Sequence, residues 1–71
     1  MNAADKMKLM KVSNQLAILR TALVEVANDV RKERDESEKD REAYQPTIAH
    51  LASAMGDIDN ADKEIAKAID V

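Results

Sequence analysis

Leu9, Val12, Leu16, Leu19, Leu23, Val26 and Val30 follow one another at alternating spacings of three and four residues. Ile48, Leu51, Met55, Ile58, Asp62, Ile65 and Ile69 repeat the same spacing later in the chain. An α-helix turns once every 3.6 residues, so this alternation keeps every member on one face; a strand, with its period of two, would scatter them over both faces. Each run covers 22 residues, about 33 Å of helix. Leu9 and Ile48 take heptad position a of their respective runs, with the intervening members alternating between d and a. Two seams of equal length joined by a polar connector predict an all-α antiparallel helical hairpin with a coiled-coil seam.

Little in the chain would interrupt such helices, because its 71 residues include one glycine and one proline. Asn2, followed three residues later by Asp5, is suited to cap a first helix of about residues 3–36. The connector RKERDESEKDREAYQP is charged at every position from 31 to 42 except Ser37. Its spacing offers i,i+4 pairs between Arg31 and Asp35, Lys32 and Glu36, Arg34 and Glu38, and Asp35 and Lys39. The turn is expected within residues 36–45, and Pro46, which favours a first helical turn, starts a second helix of about 46–70. Gly56 falls at an outer b position, so the second helix is expected to run through it at about 1 kcal/mol of propensity cost. The whole chain, 1–71, is read as one hairpin domain. Matching Val30 with Ile48 and Leu9 with Ile69 brings two flanking e positions together, Arg20 and Asp59, whose charges are opposite.

The inventory of reactive side chains is short. The chain has no cysteine, one histidine, no Phe or Trp and a single tyrosine. Thiol chemistry, Cys-based metal sites and aromatic stacking platforms therefore have no residues to use. His50 sits alone at an outer c position, without a second imidazole or thiolate to share a metal. Asp57, Asp59 and Asp62 resemble the start of a calcium loop, yet Asp62 stands where such a loop needs glycine and Ala68 where it needs glutamate. No glycine-rich phosphate loop exists. No enzyme activity, cofactor or metal is expected. Arg20 and Glu25 interrupt the apolar stretch from Leu16 to Val30, so neither a targeting signal nor a membrane span is expected, and the chain is read as soluble and cytoplasmic.

What remains is binding. Ala52, Ala54, Ala61, Ala66 and Ala68 occupy e and g positions of the second helix, and Ala22 and Ala27 flank the seam of the first. Small flanks widen the buried stripe and let further helices approach, which suits a four-helix bundle formed by a homodimer. A chain this short builds little core by itself, and association is the usual remedy. Met10, Ala17 and Val24 recur one heptad apart at b positions, with Ile18 beside them, outside the hairpin seam. They form the candidate partner-binding stripe. Asp62, an acid in the seam opposite Leu16, is expected to reach solvent, to set register or to meet a cation.

The expected function is that of a small protein-binding module: a regulator, adaptor, chaperone or inhibitor. Two alternatives accompany it. One is an RNA-binding hairpin dimer using Lys6, Lys11, Arg31 and Arg34, against which the net charge of −3 weighs. The other is a self-assembling structural subunit, because hairpins with two apolar faces can stack without closure.

Overall fold

The structure, a computed structural model, describes residues 1–70. Two helices, α1 (Ala3–Glu36) and α2 (Gln45–Asp70), pack against each other as an antiparallel hairpin, with a short 3₁₀ turn at Arg41–Tyr44 leading into α2. Among the described residues there is no strand, and no helix is long and apolar enough to cross a membrane.

Each boundary has a local cause. The Asn2 side chain accepts a hydrogen bond from the backbone N–H of Asp5 at 2.8 Å, satisfying one of the unpaired donors at the start of α1. At the other end Ser37 leaves helical geometry (φ −90°, ψ 121°), and its N–H donates to the carbonyls of Glu33 and Arg34 at 3.0 and 3.2 Å. The Ser37 hydroxyl then accepts from the Asp40 N–H at 3.2 Å, and the Arg41 guanidinium donates to the Asp35 carbonyl at 3.3 Å. These bonds fold the link back on α1. The connector does not restart a helix at Ser37; α2 begins only at Gln45, with Pro46 in the first turn, where its missing N–H is not needed. Gly56 lies within the unbroken α2, and a Cβ placed there would meet nothing within 4 Å.

The contact between the helices is rotated from the one the heptads predict. Leu9, Leu16, Leu23 and Val30, all at position a, are half-buried, whereas Val12, Leu19 and Val26 at position d are 40, 54 and 48% exposed. The places of these d residues are taken by position e. Lys6, Ser13 and Arg34 are half-buried there, and Ala27, at 0% exposure, is the one buried hydrophobic residue among those described. Small side chains at Ser13 and Ala27 let α2 approach on that flank, and polar bonds at Ser13 and Arg20 hold it there. On α2 the expected seam residues Leu51, Met55, Ile58 and Ile65 are half-buried, as are Ile48 and Ile69. Asp62, placed in the seam by spacing, is exposed, and its carboxylate accepts a hydrogen bond from the Ser13 hydroxyl.

The result is a rod of 56 × 15 × 10 Å with a radius of gyration of 16.5 Å. A compact globule of this length would have a radius of about 11 Å. The accessible surface is 5464 Å² for a mass of 7.9 kDa. An independently folded monomer of that mass exposes about 4,400 Å², so the hairpin carries roughly 1,000 Å² more surface than its size calls for.

Two substitutions measure this packing. Gly56→Ala removes a helix-interior glycine without creating a contact, and is expected to raise stability by about 1 kcal/mol, a rise of about 4–8 °C in Tm. Ala27→Leu forces extra volume into the tightest point and is expected to cost about 1–3 kcal/mol. Thermal and urea denaturation at one fixed protein concentration read both effects.

Candidate interaction surfaces

Three strips of surface run the length of α1, and each presents different chemistry. The first is the edge where e positions of the two helices meet. There the Arg20 Nε donates to the Asp59 Oδ1 at 2.8 Å, the pairing that the hairpin register predicts. About two turns earlier on α1, the Ser13 hydroxyl donates to the Asp62 carboxylate. Both bonds stand in solvent, with the Arg20 and Asp59 side chains 47 and 46% exposed. Such pairs contribute about 1 kcal/mol or less, and their value lies in fixing register and rotation rather than in strength. Of the three expectations for Asp62, exposure to solvent is the one met, and the partner of its carboxylate is Ser13 of the same chain. Ser13 was not among the residues that spacing singles out; its signal is its place at e, one heptad before Arg20.

The second strip is the predicted partner stripe. Met10 and Ile18 are 55 and 69% exposed, and Ala17 is exposed beside them. Val24 differs, being half-buried although it shares position b with Met10 and Ala17. Ala17, Ile18, Thr21, Ala22 and Glu25 line a shallow open depression on this side of the helix. The Thr21 hydroxyl donates back to the Ala17 carbonyl at 3.1 Å, so its polarity is spent locally and the depression is left largely apolar.

The third strip is the shoulder formed by the exposed d residues Val12, Leu19 and Val26. In an antiparallel pair the e positions of both helices share one side, so the g positions share the other. The g residues of α2 are Thr47, Ala54, Ala61 and Ala68, of which Ala54 and Ala68 are half-buried and Ala61 exposed. One side of the hairpin is accordingly clasped by polar bonds, and the opposite side presents the exposed Val12, Leu19 and Val26 beside the small residues Ala54, Ala61 and Ala68, with the g residues Lys8, Gln15, Ala22 and Asp29 of α1 along its rim.

The charged connector forms fewer specific pairs than its spacing offers. Arg31 donates to Asn28 at 3.3 Å and Arg34 pairs with its neighbour Asp35 at 3.1 Å, in place of the i,i+4 partners. Lys67 pairs with Glu64 at 3.1 Å on the outside of α2. The four cations proposed for RNA do not converge. Lys6, Arg31 and Arg34 are half-buried on the α2 side, while Lys11 is exposed and lies about 140° around the helix from Lys6. Among the described residues no group of three or more His, Cys, Asp or Glu side chains could hold a metal ion. Comparison of the chain with protein-family models, with curated proteins and with solved structures gives no match.

The edge pair can be tested directly. A double-mutant cycle of Arg20→Ala and Asp59→Ala is expected to give a coupling of about 0.2–1 kcal/mol that shrinks as salt is raised. A coupling of zero at low salt would mean that register is held elsewhere.

Proposed function

We propose that this chain is a non-enzymatic protein-binding module that works as a homodimeric four-helix bundle. One observation carries the reading: with Ala27 the one buried hydrophobic among the described residues, the hairpin exposes about 1,000 Å² more surface than a chain of its mass needs, and Val12, Leu19 and Val26 are among the exposed side chains. A second hairpin supplies the missing layer, and burial of apolar side chains is what stabilises a bundle of this kind. Met10, Ala17 and Ile18 are exposed on α1 and available to another protein's helix, which supports reading them as the working surface of a regulator, adaptor, chaperone or inhibitor.

The RNA-binding alternative is less well supported, because its cations are scattered around α1 and lie among acids in a chain of net charge −3. The self-assembling alternative differs from the dimer only in closure.

Sedimentation equilibrium over a wide concentration range is expected to give twice the chain mass of 7.9 kDa. The chain mass itself at every concentration would refute the bundle, and mass rising without limit would favour the structural subunit. Ile18→Glu is expected to leave the dimer mass unchanged while abolishing capture of whatever proteins the parent chain retains. Unchanged capture would remove the stripe from consideration.

A further inference from the structure

We infer that the second copy docks on the aliphatic side of the hairpin, opposite the Arg20–Asp59 edge, with the turns of the two copies at the same end of the bundle. This rests on the dimer reading above and specifies its interface. The side in question carries Val12, Leu19 and Val26 on α1 and Ala54, Ala61 and Ala68 on α2, with the exposed Lys8, Gln15 and Asp29 of α1 at its rim. Both rows advance by seven residues, so they run parallel to the hairpin axis and stay in step along its length.

Three observations select the occupant and its orientation. The first is area. The excess of roughly 1,000 Å² matches what one partner contributes to a standard interface, about 800 Å². The second is shape. A two-fold axis along the hairpin lays α1 of one copy on α2 of the other. Because α1 and α2 are already antiparallel, that axis brings Val12 opposite Ala68, Leu19 opposite Ala61 and Val26 opposite Ala54, each within two residues of level. Large side chains then meet small ones throughout, which fills the interface evenly. An axis across the hairpin would instead lay large on large and alanine on alanine, leaving one half too thick and the other too thin.

The third is charge. Residues 1–30 carry Lys6, Lys8, Lys11 and Arg20 against Asp5, Glu25 and Asp29, whereas residues 48–70 carry Lys63 and Lys67 against Asp57, Asp59, Asp62, Glu64 and Asp70. Laying α1 on α2 of the other copy pairs the mildly basic helix with the acidic one. The transverse axis would set two acidic helices against each other. The polar edge stays outside the interface in the favoured arrangement, so Arg20, Asp59 and Asp62 keep their water.

The experiment has two arms. In the first, Leu19→Glu and Ala61→Glu are compared with the parent and with Ile18→Glu by sedimentation equilibrium. Both interface variants are expected to lose the dimer at concentrations where the parent and Ile18→Glu retain it. A parent that is itself monomeric overturns the dimer and this interface together. Dimers that persist in both variants overturn the interface and leave the dimer reading standing. The second arm keeps the interface intact: the chain has no cysteine, so Lys39→Cys places a single spin label at the exposed turn. Turns at the same end give a label-to-label distance of roughly 20–30 Å. Turns at opposite ends give a distance close to the 56 Å length of the hairpin, and that result overturns the orientation whatever the variants do.

Discussion

Two helices side by side touch along a line, and a line has no interior. That constraint governs everything else in this chain. A side chain on either helix can be covered by its partner from one direction only, so the a residues of α1 reach half-burial and stop there. Only alanine is small enough to disappear completely, and Ala27 is where it does. The hydrophobic effect that drives folding scales with area removed from water, and here much of that area is still wet after the hairpin has formed. A structure of this kind is stable to the extent that something else completes it.

The second determinant is rotation. Presenting a/e in place of a/d on α1 exchanges Val12, Leu19 and Val26 for Lys6, Ser13, Arg20, Ala27 and Arg34, so the hairpin contact covers less aliphatic area than the heptads offer. Polar bonds made from e accompany that exchange. Arg20 with Asp59 and Ser13 with Asp62 are weak bonds, but they act at the same flank on both helices, and turning α1 the other way would break both. By drawing e inward they push d outward. The exposed Val12, Leu19 and Val26 lie on the edge opposite the polar bonds, and a second layer packed there would cover the aliphatic surface that the rotation leaves in water.

The hairpin itself could be read directly from the residues, because it follows from periodicity, the distribution of charge and the scarcity of helix breakers. The Asn2 cap and the Arg20–Asp59 pairing were equally legible, the first from a local motif and the second from matching two seams end to end. The rotation was not. It depends on how closely two backbones approach at Ser13 and Ala27, which is a property of the pair and leaves no mark on either helix alone. Val24 illustrates a related point: its spacing groups it with Met10 and Ala17, yet it is half-buried where they are exposed, a difference that heptad position alone does not carry. The connector's bonds were illegible for a different reason. Residues 31 to 42 offer each cation several acids at comparable distance, and solvent makes the choice among them almost free.

Ala27 has a mechanical consequence as well. It lies ten residues from Ser37 and twenty-four from Ala3, about 15 Å and about 36 Å along the helix. The tightest point of the hairpin therefore acts as an off-centre pivot, with a short arm toward the turn and a long arm toward the free ends. Any partner that changes the angle between the helices moves the free ends more than twice as far as the turn. A small adjustment at one alanine is converted into a large displacement at the far end of the rod.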